Sequence, residues 1–355
     1  MRFGIIGLSQ SGKTTIFNAL TGVERPVTSS RGRFEVNTAV VDVPDERLEA
    51  LSRHFQPDKT IHTKVTYADI AGLEVGSSAG ISGPVLNQLT QMDGFLHVVR
   101  CFEDPGVAHT MGSVNPKRDI AAMDAELLLN DLIAVERKQE RLLDERRKGG
   151  GREKSEIERE MALFKDLHEQ LSKEMPLRDV DFSPDELKAL SGYGFLTLKP
   201  VLVVLNLGDE QDAPEIAYKH NKSAIVNIKG KLEMEIAQLP VDEASIFLSE
   251  YGIDEPSLNR VIQWSYELLG LLTFFTIGSD EVRAWALTRG STAHQAAGEV
   301  HTDLQKGFIR AEVIPWNDLI ALGSLGEARS KGKLRLEGKD YPVKDGEVIQ
   351  VRFHI

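Results

Sequence analysis

Hydrophobic and polar positions divide the chain into short apolar runs and longer helical stripes. Phe3-Gly4-Ile5-Ile6 is an apolar run of strand type, and Thr15-Ile16-Phe17-Asn18-Ala19-Leu20 then has helical apolar spacing. The stretch from Gly22 to Arg33 is polar, lacks a period and reads as a loop. Val40 to Val43 resumes strand character, Pro44 to Leu48 opens a helix, and Lys64 to Ala68 is the next strand. Gly94 to Cys101, Val201 to Leu205 and Ala224 to Ile228 read as further strands. This alternation predicts an α/β architecture.

Two other textures interrupt it. Leu128, Leu132, Val135 and Leu142 form one helical stripe, and Ile157, Met161, Phe164, Leu167 and Leu171 form a second. Gly149-Gly150-Gly151 separates them, so an antiparallel helical hairpin is predicted. Its tip carries Arg146, Arg147, Lys148, Arg152 and Lys154, either a solvated charged surface or a contact for RNA phosphate. From Phe274 the pattern changes again. Val282 to Leu287, Phe308 to Ile314, Lys333 to Leu336 and Val348 to Phe353 read as strands, with a short helix from Thr292 to His301. They predict a compact mixed sheet with nothing catalytic in it.

The first strand runs straight into chemistry. Gly7-Leu8-Ser9-Gln10-Ser11-Gly12-Lys13-Thr14 fits GxxxxGK[ST], with a strand before it and a helix after it. Glycines let phosphates approach backbone N–H groups, and the helix N-terminus adds a favourable dipole. Lys13 is expected to reach the β- and γ-phosphates and Thr14 to ligate Mg²⁺. Ser9, Gln10, Ser11, Gly12 and Thr15 complete the expected phosphate-binding set. Asp69-Ile70-Ala71-Gly72 closes the Lys64 strand with DxxG, the companion motif of switch nucleotidases. Asp69 would support the metal through water, and the Gly72 amide would sense the γ-phosphate. Asn206-Leu207-Gly208-Asp209 stands where guanine-specific switches carry NKxD, with Leu207 replacing the lysine. Lys229-Gly230 follows the last strand at the base-contacting position, so Asn206, Leu207, Asp209, Lys229 and Gly230 are the candidate base-side residues.

Composition narrows the class. A chain of 355 residues is expected to hold two or three domains. Cys101 is the only cysteine, which excludes an intrachain disulfide and a cysteine metal site. The nine histidines lack ligand spacing. The absence of an apolar leader and of any membrane-length run predicts a cytoplasmic protein with no membrane partner. The net charge of −12 disfavours nucleic-acid binding over the whole surface but leaves local basic patches open.

Longer motifs carry a family resemblance. Arg100-Cys101-Phe102-Glu103-Asp104 leading to Gly112-Ser113-Val114-Asn115-Pro116 resembles the RCFED…GSVDP stretch of the YchF/Obg-like ATPases, an Obg-related branch of P-loop GTPases. Asp69 to Leu73 matches their DIAGL, and His301-Thr302-Asp303 with Gly307 to Glu312 resembles their TGS domain. The resemblance implies a Ras-like P-loop NTPase domain over 1–125 and 195–273. It further implies a hairpin insertion over 126–194 and a ubiquitin-like β-grasp (TGS) domain over 274–355. ATP as nucleotide, slow hydrolysis and association with ribosomes follow from the same resemblance.

Departures cluster at the nucleotide. Ser9-Gln10-Ser11 replaces Pro-Asn-Val, whose asparagine helps related enzymes bind a monovalent cation. The first-switch threonine aligns with Arg33, and NxxE becomes Asn206 to Asp209. Leu73 occupies the place of a water-orienting glutamine, so His109, in the loop after RCFED, is the candidate for positioning water beside Lys13. The expected protein is a monomeric, slow ATP-dependent switch on a ribosomal or RNA partner. A nonhydrolysing adaptor working through its β-grasp domain and an Obg-type GTPase stay open.

Overall fold

The computed structural model describes residues 1–23, 36–71, 73, 81–148, 151–240, 243, 244, 246, 248 and 256–354. They form two compact units: Met1–Val40 with Thr66–Val261, and Val41–Val65 with Ile262–Ile355.

The first unit is built on strands β1 (Arg2–Ile6), β2 (Val36–Asp42), β4 (Lys64–Ile70), β5 (Gly94–Arg100), β6 (Val201–Asn206) and β7 (Ser223–Ile228). Among the described residues they join in the order β2-β4-β1-β5-β6-β7. β1 is parallel to both β4 and β5, and β5, β6 and β7 are parallel in turn. β5 and β6 are buried throughout, as the continuous apolar runs of a doubly covered parallel sheet demand. Helices α1 (Lys13–Thr21), α3 (Gly83–Thr90) and α7 (Gly230–Ala237) follow β1, β4 and β7.

The hairpin consists of α4 (Pro116–Lys148) and α5 (Lys154–Ser172). Val135, Leu142, Ile157, Phe164, Leu167 and Leu171 are its buried seam, with Leu128, Leu132 and Met161 packed against it. The two apolar stripes of the sequence therefore face one another. α4 begins at Pro116, ten residues before the expected insertion boundary, because Ile120, Met123 and Leu127 pack into the core of the nucleotide unit. One continuous helix thus roots the hairpin. Buried Asp131 pins that root by accepting the Leu196 and Thr197 N–H groups and the Thr197 hydroxyl, at 2.9, 2.7 and 2.7 Å.

The second unit is a sheet of β8 (Leu271–Ile277), β9 (Glu281–Thr288), β10 (Phe308–Pro315), β11 (Arg335–Glu337) and β12 (Glu347–Phe353). Its order is β11-β10-β12-β8-β9, with β8 and β12 parallel and the other neighbours antiparallel, the β-grasp arrangement. The helix Ala293–Val300 covers one face through Ala293, Ala296 and Ala297. The other face receives Leu48 and Leu51 of α2 (Glu46–Phe55), with Leu319 and Ala328 from two short later helices. β3 (Lys59–Ile61) adds to the outer edge of β9 in parallel. Residues 41–65, expected in the nucleotide domain, therefore complete the second unit. The reason is visible in α2, whose apolar side is spent on Phe275, Val282 and Ala284.

Candidate functional site

The loop between β1 and α1 takes its shape from two glycines. Gly7 has φ 148°, and a Cβ there would stand 2.3 Å from the Val98 carbonyl oxygen. Gly12 has φ 96°, and a Cβ there would meet Asn206 Nδ2 at 2.1 Å. The loop is thus laid flat on β5 and β6, and α1 begins at Lys13 with its first N–H groups facing the loop. Ser9 and Gln10 are exposed, Ser11 is buried, and Thr15 is half-buried on the first turn.

Lys13 curls over this loop. Its ammonium donates to the carbonyl oxygens of Gly7 at 3.0 Å and Leu8 at 2.8 Å. Burial lowers its pKa to about 8, partly opposed by the Asp69 carboxylate. The Thr14 hydroxyl donates to Asp69 Oδ2 at 2.9 Å, joining the start of α1 to the end of β4. Lys13, Thr14 and Asp69, separate in sequence, thereby converge on one spot. A hydroxyl and a carboxylate oxygen side by side are hard donors of the kind Mg²⁺ takes. Among the described residues no group of three or more His, Cys, Asp or Glu side chains could hold a metal. An ion held by this donor pair would take its remaining ligands from phosphate and water.

The base-side residues are placed less uniformly. Asn206 is buried at the end of β6, where its amide donates to the Ser11 carbonyl at 3.0 Å and accepts the Gly230 N–H at 3.1 Å. It braces the phosphate loop against the start of α7. Gly230 is tight for the same reason, since a Cβ there would stand 2.6 Å from Asn206 Oδ1. Leu207 points away into the core with Leu205, Val203 and Leu8. Asp209 is exposed and Lys229 half-buried beside them. Gly72 lies outside the described residues, as does Arg33. Leu73 is buried in the apolar core.

His109 lines one small cavity with Leu8 and Ser11 of the phosphate loop, and its side chain is 5% exposed. Its Nδ1 accepts the Met111 N–H at 3.1 Å, which leaves the proton on Nε2, 2.9 Å from Asp119 Oδ2. The Nδ1 contact ties the ring to the 101–112 loop, and Nε2 lies against the Asp119 carboxylate on the first turn of α4. Arg118 grips the other oxygen of Asp119 at 2.9 and 2.8 Å. Two residues missed by the sequence pattern stand close by. Arg100 is buried and donates to the carbonyls of Phe102 and Val107, at 3.1 and 2.9 Å. His97, fully enclosed on β5, has its pKa lowered to about 3 by burial and by the Lys13 charge. A buried polar residue within an apolar strand run was the available signal for each.

The hairpin tip carries less free charge than its sequence suggests. Arg152 lies 2.9 Å from Glu160 and 3.6 Å from Glu145, Arg146 is 3.9 Å from Glu158, and Lys148 is 3.9 Å from Asp144. Cations and carboxylates are interleaved.

The comparisons agree with this anatomy. The family model MMR_HSR1, described as "50S ribosome-binding GTPase", matches residues 2–138. The YchF-GTPase_C model, described as "Protein of unknown function (DUF933)", matches residues 271–354. The Ribosome-binding ATPase YchF of Pasteurella multocida (strain Pm70) is 42% identical, covering 99% of both chains. The chain belongs to the YchF family. The Bacillus subtilis (strain 168) Ribosome-binding ATPase YchF is 38% identical over 99% of each chain. The solved Schizosaccharomyces pombe YchF GTPase matches with a TM-score of 0.82 at 27% identity, covering 99% of this chain and 97% of that one. This YchF-family chain is thus a P-loop NTPase with an inserted helical hairpin and a C-terminal β-grasp domain. Among the described residues no helix is long and apolar enough to cross a membrane.

Proposed function

We propose that the protein is a nucleotide-dependent switch that binds ATP with Mg²⁺, hydrolyses it slowly and works in the cytoplasm, as a monomer, on the ribosome. The observation that carries this reading is the convergence of Lys13, Thr14 and Asp69 at the glycine loop. Lys13 would leave the Gly7 and Leu8 carbonyls for the phosphates, and Thr14 with Asp69 would hold the ion, which neutralises phosphate charge when bound. The N–H groups of Gly12 to Thr15 would line the phosphates, and Ser9, Gln10 and Ser11 would form the loop's outer wall. Asp209 and Lys229 would flank the base, while Asn206 and Gly230 keep that side registered on the phosphate loop. The names of the relatives, which specify ATPase and ribosome binding, support the nucleotide and the partner.

Turnover is slow in this reading. Leu73 is buried where a glutamine would orient water, and His109 has Nδ1 tied to Met111 and Nε2 turned to Asp119. Completion of the catalytic set then falls to Gly72 or to a contribution from the partner. A GTPase reading draws on the match to a GTPase family model and on the exposed carboxylate of Asp209. Phosphate release from ATP and GTP, with and without 70S ribosomes, separates these readings. Slow release from ATP that quickens with ribosomes is expected. No release under any condition, with ATP still bound, would leave the adaptor reading.

A further inference from the structure

The back of the phosphate loop rests on a polar cluster that nucleotide binding leaves unused. Leu8 and Ser11 of the loop enclose one small cavity with His97 and Arg100 of β5, His109 of the 101–112 loop and Asp119 of α4. Ser11, Arg100 and Asp119 are almost fully buried, and each keeps one polar atom without a hydrogen-bond partner: Oγ, Nη1 and Oδ2. Asp119 Oδ2 lies 2.9 Å from His109 Nε2 but forms no hydrogen bond with it. Buried polar groups are normally satisfied, so three orphaned atoms around one cavity require an explanation. The space between them is too tight for a water molecule, so only a movement of the walls can pair them.

Each wall of the cavity leads to a different part of the unit. Arg100 and Asn206 are register partners on β5 and β6, and Asn206 already holds the Ser11 carbonyl at 3.0 Å. Arg100 holds the 101–112 loop instead, through the Phe102 and Val107 carbonyls at 3.1 and 2.9 Å. Its guanidinium also lies over the Phe102 ring, 4.6 Å from the centre. Asp119 stands on the first turn of α4, which runs unbroken to Lys148. Phosphate loop, 101–112 loop and hairpin root thus meet at one underbonded spot.

We propose that this cluster is a relay: occupation of the phosphate loop pairs its orphaned atoms and tightens the 101–112 loop and the root of α4. The relay rests on the reading in which Lys13 leaves the Gly7 and Leu8 carbonyls for phosphate. Those carbonyls then need new donors. Arg100 Nη1 and the Ser11 hydroxyl are unused donors on the cavity that Leu8 lines. A shift of Arg100 toward the loop carries Phe102 and Val107 with it and changes the charge facing Asp119 Oδ2. The hairpin follows as a lever. Asp131 pins α4 twelve residues past Asp119, about 18 Å along the axis, and the segment beyond the pin runs about 26 Å to Lys148. A displacement at the root is therefore enlarged at the tip.

Hydrogen–deuterium exchange of the full chain, free and saturated with AMP-PNP and Mg²⁺, tests the relay, with saturation checked by calorimetry. Amides of 101–123 should exchange at least about fivefold more slowly with nucleotide bound. Asp119→Asn removes the charge at nearly constant shape and should cut that slowing to under about twofold, while nucleotide still protects 13–20. Arg118→Gln frees only the other oxygen of Asp119 and should keep the parent's response. Arg100→Lys keeps the buried charge but gives up the fork; it should show the same loss as Asp119→Asn and takes its place if that variant does not fold. No slowing at 101–123 in the nucleotide-bound parent, or faster exchange there, overturns the relay and leaves the phosphate site standing. So does full slowing in Asp119→Asn or, in its place, Arg100→Lys. Equal losses in Arg118→Gln and Asp119→Asn also overturn it, by assigning the effect to the first turn of α4 in general. If calorimetry shows no binding by the parent, the phosphate-site reading and the relay fall together.

Discussion

The two halves of the proposed nucleotide site are built in opposite ways. The phosphate half is local: Gly7 to Thr14 is one continuous stretch of loop and helix start, and only Asp69 comes from elsewhere. The base half is assembled from the ends of β6 and β7, and one side chain, Asn206, ties it to the phosphate half through Ser11 and Gly230. A short local motif is readable because every residue in it answers to the same ligand. A composite surface is not, because its residues also answer to the fold.

Asn206→Ala breaks that tie and should have the largest structural effect. It strands a buried Ser11 carbonyl and a buried Gly230 N–H, each costing about 1–3 kcal/mol when unsatisfied. Urea denaturation should show a loss of roughly 3 kcal/mol, with ATP affinity falling at least about tenfold. Unchanged stability would mean that the two halves are held together by other contacts.

Legibility follows from this contrast. The strands of the first unit and both hairpin stripes are encoded by simple periods, and they lie where those periods put them. The phosphate loop needs glycine at two positions for steric reasons that leave a mark in the sequence. Leu207 shows the opposite case. It looks like a replaced lysine in a base-binding motif, yet just past β6 it continues the side of Leu205 and belongs to the core. The alternation of Val203, Leu205 and Leu207 was the clue to its direction. His109 reads as a free loop histidine because Asp119, its partner, lies ten residues on in a different element. The placement of 41–65 in the second unit was illegible for a similar reason. The apolar side of α2 specifies that it must be covered, and not which sheet covers it.

The wall behind the phosphate loop adds a pH signature. Burial lowers the folded pKa of His97 to about 3, so its stability contribution is complete above the ordinary histidine value of 6.5 and is lost as pH falls toward 3. Each pH unit below 6.5 costs about 1.4 kcal/mol, so acidification from pH 7 to pH 5 should cost the first unit about 2 kcal/mol. His97→Gln should flatten that slope in denaturation curves at the two pH values. A slope identical to the parent's would assign the loss to other groups.

The smallest effect is expected at the exposed edge of the base half. Asp209 is exposed, whereas Asn206 is buried. Asp209→Ala should leave stability unchanged and alter ATP affinity by no more than about threefold, under 1 kcal/mol. Competition titration should show a larger loss for GTP, whose base edge can donate to a carboxylate. An equal and large loss for both nucleotides would give Asp209 a structural part instead.

Calorimetric titration of the full chain with ATP and Mg²⁺, beside Lys13→Ala, tests the account most directly. Among the described residues, the Lys13 ammonium is the one positive side chain placed over the glycine loop's carbonyls. The account predicts binding by the parent and a loss of at least about tenfold in the variant, or 1.4 kcal/mol. Equal affinities, or no heat from the parent, would contradict the assignment of the Gly7–Thr14 loop as the phosphate site.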